Sequence, residues 1–264
     1  MNAPVRRTVG VIGGSGVTSL FEKGATRTHR VATPWGAPSG PIEEGEVGGM
    51  RVLFLPRHGP GHTIPPHRIN YRANIDALHS LGAGSVVTVS SVGSLKEELA
   101  PGTFVLPSQF VDFTRQRPTT FFDGGRVYHV SLADPFCPDL SRTAMTVGQE
   151  LGMPFAEGKT YVCVEGPRFS TRAESAFFRG FADVIGMTLV PEVTLARERA
   201  LCYLCLAMVT DYDVWAERPV EAKEILETMQ RNVERMGRLL GRLLPRFGTP
   251  PTCSCARALD SAGV

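Results

Sequence analysis

The run Leu201-Cys202-Tyr203-Leu204-Cys205-Leu206-Ala207-Met208-Val209-Thr210-Asp211-Tyr212-Asp213 carries a long apolar segment into two acidic residues. Its apolar part, residues 201–209, predicts a strand buried on both faces of a sheet. Asp211 and Asp213 follow at the carboxyl end, where open α/β sheets bind ligands, and they share one side of the extended chain. Turn formation or helix capping is the alternative explanation for acids at this place. The run therefore predicts a buried strand and, as a hypothesis, a carboxylate pair that faces one ligand.

A glycine-rich turn, Gly13-Gly14-Ser15-Gly16, follows the first apolar strand of the chain. Bare backbone N–H groups in such a turn can hold an anion. The turn is not a dinucleotide fingerprint, because Ser19 stands where the third glycine would be, and no Gly-Lys-Ser or Gly-Lys-Thr makes it a P-loop. It predicts a small phosphate nest with the Ser15 hydroxyl, with a purely structural turn as the alternative.

Two further apolar strands end in residues that can bind anions. The first ends in Arg57 and His58, whose planar guanidinium and imidazole groups can bind phosphate oxygens. The second ends in Ser90 and Ser91, whose hydroxyls can also donate to an anion. A salt bridge with a partly buried histidine, and helix capping, are the alternatives for the two strand ends. Polar residues at the ends of all these strands indicate a shared site.

Apolar runs and helical patterns alternate along the chain, which favours an α/β sheet over a sandwich or a bundle. The predicted strands lie near residues 9–13, 51–55, 85–92, 103–106, 127–131, 160–164, 184–187 and 201–209. The predicted helices lie near residues 71–81, 140–151, 171–181 and 221–244. The last helix has apolar residues at 226, 229, 233, 236, 240 and 243, a narrow seam that predicts packing on the sheet or on a second subunit. After Pro245 the composition shifts, so residues 249–264 are predicted to form a tail to a domain of residues 1–248.

The bulk composition excludes several classes of protein. With 42% hydrophobic residues, 20% charged residues and a net charge of +2, the chain is typical of a soluble globular protein. It gives no reason to expect a nucleic-acid or membrane surface. No apolar run approaches the roughly 20 residues that span a bilayer, and residues 1–8 contain no apolar export segment. We therefore expect a cytoplasmic protein.

The six cysteines predict free thiols in a reducing compartment. Cys137, Cys163, Cys202 and Cys205 lie in apolar surroundings typical of buried small side chains. Although Cys202 and Cys205 have CxxC spacing, residues three apart in a strand point to opposite faces and cannot chelate together. For Cys253-Ser254-Cys255 in the tail, a strained disulfide or a weak metal site is the alternative. No histidine has ligand spacing beside these cysteines, so we expect no metal and no cofactor.

Taken together, the motifs resemble the methylthioadenosine phosphorylases, a branch of the trimeric purine nucleoside phosphorylase family. The matching blocks are Gly13–Gly16, Arg57–Gly59, Asn70–Asn74, Glu165–Ser175, Gly186–Thr188 and Thr210–Asp213. They occur in the family's order between about residues 9 and 248, and the Glu165–Ser175 and Thr210–Asp213 blocks are specific to the family. The resemblance implies one α/β domain with a twisted mixed sheet flanked by helices, like that of purine nucleoside phosphorylases. It also implies phosphorolysis of S-methyl-5'-thioadenosine to adenine and 5-methylthioribose 1-phosphate.

The resemblance further implies a role for each matching residue. The phosphate positions match Ser15, Arg57, His58, Ser90, Ser91 and Thr188. The substrate positions match Phe169 and Ser170 around the base, Met187 against the ribose, Asp211 and Asp213 at the purine, and His129 from across a subunit boundary. Asp211 is the residue expected to protonate the purine N7. The family usually has Thr at position 15 and Thr-Ala at positions 90–91, so the hydroxyls at Ser15 and Ser90 are retained.

The resemblance also implies the binding partners of the chain, and other functions remain as alternatives to the implied one. We expect a nucleoside and phosphate as small-molecule partners and a homotrimer, with a hexamer as the alternative. The closest rival function is a broader purine nucleoside phosphorylase acting on adenosine or on 6-oxopurine nucleosides. Rivals from other classes are a nicotinamide-dependent oxidoreductase, a non-catalytic nucleoside-binding module and, chemically closest among these, a hydrolytic nucleosidase.

Overall fold

The fold is a mixed sheet with helices packed against it, in a computed structural model that describes residues 8–14, 21, 26–216, 222–248, 252–260 and 262–263. Within these residues the strands are β1 (Thr8–Gly13), β2 (Arg27–His29), β3 (Ile42–Val47), β4 (Met50–Pro56), β5 (Ala83–Ser94), β6 (Phe104–Phe113), β7 (Phe155–Val164), β8 (Val184–Gly186) and β9 (Cys202–Asp211). The helices are α1 (Tyr71–Ser80), α2 (Pro138–Glu150), α3 (Arg172–Arg179), α4 (Glu192–Glu198) and α5 (Ala222–Leu243).

The strands pair in the order β2-β3-β4-β1-β5-β8-β7-β6-β9, and β9 pairs again with β5. The extra pairing closes five strands into a ring, from which β1, β4, β3 and β2 extend as an open sheet. β1 is parallel to β4 and β5, and β5 is parallel to β9, whereas β5 and β8 are antiparallel. The predicted mixed α/β sheet is therefore confirmed.

Strand β9 is buried on both faces, as its apolar sequence predicts. Its side chains alternate between two separate parts of the core, because successive residues of a strand point to opposite faces. Cys202 and Leu204 lie in one part and Tyr203 and Cys205 in the other. The prediction that Cys202 and Cys205 cannot chelate a metal together is confirmed by this separation.

The predicted strand at 127–131 is wrong. This segment makes one isolated bridge, between Tyr128 and Gly263, and Val127 is 50% exposed. The backbone of Tyr128 and His129 pairs with the C-terminal tail rather than with the sheet. Two strands and a helix were not predicted, since β2 and β3 are polar and the short α4 has no clear amphipathic pattern.

The predicted helices near residues 71, 140 and 171 are confirmed with small shifts of their ends. The capping box at the start of α3 is present: Thr171 Oγ1 accepts from the Glu174 backbone N–H, and the Glu174 carboxylate accepts from the Thr171 backbone N–H. These two bonds satisfy donors that the first turn of a helix leaves free. They fix the helix that follows the family-specific block 165–175.

Helix α5 packs on the domain through most of the described part of its predicted seam. Met236, Leu240 and Leu243 are buried, whereas Val233 is 45% exposed. The side chains at positions 226 and 229 of the seam lie outside the described residues. No described helix is long and apolar enough to cross a membrane.

The described residues of the tail pack against the domain. Cys255 and Ala262 are buried, and the His129 backbone N–H donates to the Ala262 carbonyl. Asp139 Oδ2, in the first turn of α2, accepts from the backbone N–H groups of Thr252 and Cys253. The tail is therefore held to the domain by hydrogen bonds as well as by apolar contacts.

Candidate active site

A cavity of about 320 Å³ lies where β4, β5, β8 and β9 end. Parallel pairing brings the carboxyl ends of β4, β5 and β9 to one edge of the sheet, as the strand-end motifs predict, and the short antiparallel β8 pairs with the last residues of β5 there. Ten of the predicted site residues line the cavity: Arg57, His58, Ser90, Ser91, Phe169, Ser170, Met187, Thr188, Asp211 and Asp213. Gly14 of the glycine-rich turn lines it too. Residues far apart in the chain therefore form one pocket.

Two predicted residues do not appear in this pocket. Ser15 lies outside the described residues, so its phosphate role stays a prediction. His129 is exposed and lies beside the tail rather than in the cavity of its own chain. That position is compatible with the implied contribution across a subunit boundary, which also stays a prediction.

The two carboxylates at the end of β9 are coupled to each other and partly withdrawn from water. Asp211 Oδ1 accepts from the Asp213 backbone N–H at 2.8 Å, and Asp211 Oδ2 accepts from the Thr210 hydroxyl at 2.7 Å. Burial raises the pKa of Asp211, and these two hydrogen bonds oppose it. Burial also raises the pKa of Asp213; the nearby Ser175 hydroxyl opposes this rise, and the negative charge of Asp211 adds to it. Both carboxyl groups therefore retain a proton more readily than an exposed acid does.

Asp213 presents an acceptor without a partner. Its Oδ2 is buried and has no hydrogen-bond partner in the structure, and its backbone has a left-handed φ of 51°. Aspartate is one of the few residue types that tolerate this conformation. Gly93 permits the arrangement, since a Cβ there would lie 3.1 Å from Asp211 Oδ1 and 3.2 Å from Asp213 Cβ. A buried acceptor without a partner is costly, and Asp213 is among the residues that line the cavity, which a donor could enter.

A pair of hydroxyls lies on another wall of the cavity. Ser90 Oγ and Thr188 Oγ1 are 3.2 Å apart and both residues are buried, which joins β5 to the loop after β8. Ser91, the next residue of β5, is more exposed and also lines the cavity. These hydroxyls can donate to the oxygens of a small anion.

Arg57 is buried in an ion pair that the sequence did not reveal. Its Nε and Nη2 donate to the two Glu192 carboxylate oxygens at 3.0 Å each, while Nη1 donates to the Val89 carbonyl and Nη2 to the Ile12 carbonyl. Burial would lower the pKa of Arg57, but Glu192 outweighs it and raises that pKa. Of the five N–H groups of an arginine, one on Nη1 is left over. The fork of the guanidinium is thus occupied by Glu192, and Arg57 has one N–H left for a ligand in the cavity that it lines.

His58 is held in a defined tautomer. Its Nδ1 lies 2.8 Å from the Ile64 carbonyl, which can only accept, so Nδ1 carries the proton. Burial lowers the pKa of His58 to about 4, with Arg57 and His62 contributing. At neutral pH the ring is uncharged, and Nε2 is left as an acceptor. In this state Nε2 of His58 can accept from a protonated oxygen, and its phosphate role stays a prediction.

The remaining wall is apolar and open to one side. Met187 is half-buried, and a Cβ on Gly166 would meet its sulfur at 2.6 Å. Phe169 lines the cavity but is 65% exposed. Beyond it lies an exposed aromatic patch, defined by Phe113, Phe177 and Phe181, whose rings contact one another.

Glu192 and Gly186 are the main site residues that sequence reasoning missed. Glu192 is completely buried, at the start of α4, and also accepts from the Tyr203 hydroxyl at 2.9 Å. Glu192 is a single acid in an apolar segment, and nothing in the sequence indicated that it pairs with Arg57, which lies 135 positions away. Gly186 lies in the family-like block, and a Cβ on it would collide with the Tyr161 hydroxyl.

Arg57→Ala should lower the free energy of unfolding by about 3–5 kcal/mol, because Glu192 would be left as a buried, unpaired charge. Chemical denaturation measures the change. Arg246→Ala is the control: it removes an ion pair with Glu150 that lies on the surface, so it should leave stability nearly unchanged. Equal losses in the two variants would refute this role of Glu192.

Asp211→Asn should raise the thermal midpoint at neutral pH. Because the pKa of Asp211 is raised by folding, its carboxyl group starts to cost stability as pH rises past the pKa of an unfolded aspartate, and the cost is complete above the raised pKa of the folded state. The amide removes this cost. The gain should vanish at acidic pH, where the wild-type carboxyl group is neutral. Asp139→Asn is the control of opposite sign, since hydrogen bonds from the tail overcome burial and lower the pKa of Asp139. A stability gain in Asp211→Asn that persists unchanged into acid would contradict the prediction.

Comparison with known proteins agrees with the geometry of this site. Residues 8–245 match the family profile of the Phosphorylase superfamily. S-methyl-5'-thioadenosine phosphorylase of Pyrococcus furiosus is 55% identical over 256 residues, which cover 97% of this chain and 99% of that protein. The corresponding protein of Saccharolobus solfataricus is 50% identical over 264 residues, covering 98% of each chain.

Solved structures give the same result. A methylthioadenosine phosphorylase sourced from an antarctic soil metagenomic library has a TM-score of 0.93 and 40% identity, covering 98% of this chain and 93% of that one. Methylthioadenosine phosphorylase from Schistosoma mansoni, solved in complex with adenine, has a TM-score of 0.89 and 36% identity, covering 97% and 96%. Fold, sequence and pocket agree, and the chain belongs to the S-methyl-5'-thioadenosine phosphorylase family within the phosphorylase superfamily.

Proposed function

We propose that this protein cleaves S-methyl-5'-thioadenosine with inorganic phosphate and releases adenine and 5-methylthioribose 1-phosphate. The observation that carries the proposal is the pairing, in one cavity, of two carboxyl groups of raised pKa with a set of hydroxyls and a cation. The family members named above bear this activity in their names, and one of them was solved with adenine bound.

The reaction needs a nucleophile on one side of the sugar and an acid on the other. A phosphate oxygen forms the new bond to C1' while the C1'–N9 bond breaks and its electron pair moves into the purine. Because a purine anion is a poor leaving group, N7 must be protonated as the bond breaks. Asp211 supplies this proton, and burial keeps a larger share of it protonated at neutral pH than in an exposed acid.

Adenine fits the acceptors at the end of β9. The unpartnered Oδ2 of Asp213 can accept from the exocyclic amino group, while protonated Asp211 donates to N7. A 6-oxopurine would place an acceptor against the Asp213 oxygen and be repelled. Phe169 and Ser170 border the base, and Met187 lies against the ribose.

Phosphate fits the opposite side of the cavity. Ser90, Ser91 and Thr188 donate hydroxyl hydrogen bonds, with Ser15 in the same role, and Arg57 adds the one N–H that its pair with Glu192 leaves over. Neutral His58 accepts the P–OH hydrogen of the phosphate dianion through Nε2. With phosphate as nucleophile and Asp211 as acid, the reaction requires no cofactor.

The central experiment is adenine release from S-methyl-5'-thioadenosine, adenosine and inosine, each with and without phosphate. We expect phosphate-dependent release, strongest for the methylthio substrate and weakest for inosine, with discrimination of about 10⁴ where buried polar groups lose their partners. Asp211→Asn should cut adenine release severely and shift preference toward inosine. Phosphate-independent release would indicate a nucleosidase, and wild-type cleavage of inosine as fast as the methylthio substrate would refute the role given to the carboxylates.

Arg57→Ala should raise the phosphate KM about ten-fold, because a charge-assisted hydrogen bond contributes roughly 1.5–3 kcal/mol. The assay is run below the melting temperature of the variant, since loss of the Glu192 ion pair also destabilises it. Arg246→Ala serves again as the control and should keep the wild-type KM. An unchanged phosphate KM in folded Arg57→Ala would remove Arg57 from the phosphate site.

We also propose a homotrimer in which His129 reaches the cavity of a neighbouring subunit. Support comes from the exposed aromatic patch beside the cavity mouth, since a monomeric protein seldom leaves clustered rings in water. The position of His129, exposed and outside its own cavity, agrees with this role. A cytoplasmic location is supported by the six cysteines, all unpaired thiols in the described structure.

Light scattering should give a mass of three chains of 28.6 kDa each. Phe177→Ser should weaken the assembly because it replaces an exposed ring of the patch, whereas Val127→Ser is the control, an exposed apolar residue outside the patch. A fully active species with the mass of one chain would overturn the proposal.

A further inference from the structure

A buried arginine lies behind one wall of the cavity. Arg117 belongs to the connection between β6 and α2, and only 7% of the residue is exposed. It does not line the cavity itself. The carbon at the centre of its guanidinium lies 5.2 Å from the centroid of the Tyr71 ring, at the start of α1. No step of the proposed reaction uses this buried cation, so its role has to follow from its contacts.

The guanidinium of Arg117 donates to three separate elements. Nη2 donates to the Glu165 carbonyl at 2.6 Å and to the Val164 carbonyl at 3.4 Å, both at the end of β7. Nη1 donates to the Val190 carbonyl at 2.5 Å, in the loop between β8 and α4, and to the Tyr71 hydroxyl at 3.1 Å. All four Nη hydrogens are therefore used. A rigid, planar fork of donors can hold these elements at fixed separations, which the flexible point charge of a lysine cannot do.

The partners of Arg117 are close, in the chain or in space, to residues that line the cavity. Val164 lines it directly. The Tyr71 hydroxyl donates to the carbonyl of Pro66 at 3.0 Å, and Pro66 lines the cavity too. Val190 lies three residues after Met187, which is a further lining residue. One guanidinium thus connects three residues of the cavity wall, which come from three parts of the chain.

The loop between β8 and α4 is fastened on both sides of one residue. The Val190 backbone N–H donates to Cys163 Sγ at 3.4 Å, while its carbonyl accepts from Arg117. Both Cys163 and Arg117 are buried. Earlier in this loop, Met187 packs against Gly166, at the end of the same strand β7. The loop therefore cannot shift relative to β7 unless these contacts break.

Hydrogen bonds, rather than an ion pair, hold Arg117 in place. Its Nε lies 3.5 Å from Glu165 Oε1 and makes no hydrogen bond in the structure. The Glu165 side chain is 23% exposed, and its Oε2 accepts from the Arg115 backbone N–H at 2.6 Å. A buried cation without a close counter-ion is costly. The four bonds donated by Nη1 and Nη2 are what this cost supports.

The segment that carries Arg117 is itself anchored without a ligand. The Thr120 hydroxyl and the Phe121 backbone N–H each donate to the Glu198 carboxylate at 2.7 Å. Glu198 is buried at the end of α4. The wall is therefore assembled before a substrate binds, which lowers the cost of ordering it on binding.

We propose that Arg117 is a positioning residue for the nucleoside, which holds the cavity wall of Val164, Pro66 and Met187 at the separation that the reaction needs. The inference rests on the proposed function, because it assigns this wall to the nucleoside. A displacement of about 1 Å, caused by a change away from the reacting atoms, can lower a rate on the order of 100-fold.

The phosphate side of the cavity should depend much less on Arg117. Arg57 and Ser90 lie at the ends of β4 and β5, and none of the hydrogen bonds of Arg117 reaches these strands. Thr188 shares the loop of Val190, but its hydroxyl is also held by Ser90. Loss of Arg117 should therefore separate the nucleoside constants from the phosphate KM.

The test compares Arg117→Met and Arg117→Lys with the wild type in phosphorolysis of S-methyl-5'-thioadenosine. Arg117→Met should lower kcat/KM for the nucleoside on the order of 100-fold and leave the phosphate KM nearly unchanged. Arg117→Lys keeps the charge without the fork, so it should recover only a small part of the loss. Full recovery by lysine, or an equal rise of both KM values in Arg117→Met, would overturn the proposal.

Arg51→Met is the matched control. Arg51 is a partly buried arginine that donates to the Leu81 carbonyl, the Thr8 hydroxyl and the Glu44 carboxylate, and it does not line the cavity. Its loss should lower the melting temperature and keep the wild-type kcat/KM. If Arg51→Met lowers kcat/KM as much as Arg117→Met does, the effect is a general loss of stability and the proposal is wrong.

Tyr71→Phe keeps the test decisive if neither Arg117 variant folds. It retains the ring and removes the hydroxyl that joins Arg117 to Pro66, so kcat/KM for the nucleoside should fall by a smaller factor, again with the phosphate KM nearly unchanged. Calorimetric binding of S-methyl-5'-thioadenosine without phosphate separates the two hypotheses. A wild type that neither binds nor cleaves the nucleoside would refute the proposed function together with the inference. An active wild type whose nucleoside constants are unchanged in the folded variants would refute the role of Arg117 alone.

Discussion

The parallel pairing of β5 with β9 is the contact on which the site depends. Its register places Ser90 beside Ala207 and Gly93 beside Asp211, so the hydroxyls of one strand and the carboxylates of the next open onto one cavity. The register shift between Val92 and Gly93 lies at the point where the acids begin. A slip of one residue would exchange the two faces of β9, which would turn Asp211 away from the cavity and mismatch the packing in both parts of the core.

Burial of the carboxyl groups of the site favours their protonated, acidic form and at the same time lowers the stability of the fold. The ionised carboxylates of Asp211 and Asp213 would be better solvated in water. Their burial in the fold removes part of that solvation, which raises the pKa of each. Arg57 and Glu192 show the other response to burial, in which two charges neutralise each other through two hydrogen bonds. A site of this kind is held together by the surrounding core rather than by its own charges, because a buried ion pair seldom repays its desolvation.

The two ends of β9 are used differently. The carboxyl end carries the acids of the cavity, whereas the amino end carries Cys202, whose sulfur lies 3.5 Å from that of Cys253 in the tail. The strand between them is buried on both faces and leaves little freedom for one end to move against the other. The tail therefore contacts β9 at the end remote from the groups that react.

The local pattern of apolar and polar residues was enough to predict the features that depend on residues close to one another in the sequence. The apolar run 201–209 predicts a strand buried on both faces, Thr171 with Glu174 predicts a capping box, and strand ends rich in polar residues predict a shared pocket. Polar strands such as β2 and β3 were missed, because their periodicity is weak and pairing with a neighbour decides them.

Tertiary structure alone decided which side chains meet. Sequence could not predict that Glu192 would occupy the fork of Arg57, that the Ile64 carbonyl would set the tautomer of His58, or that Cys137 would join Cys202 and the tail. These contacts join residues of separate elements, which no helical or strand periodicity relates to one another. Composition and spacing report the faces of one strand or helix, whereas the partner of a buried charge or thiol is set by the packing of separate elements.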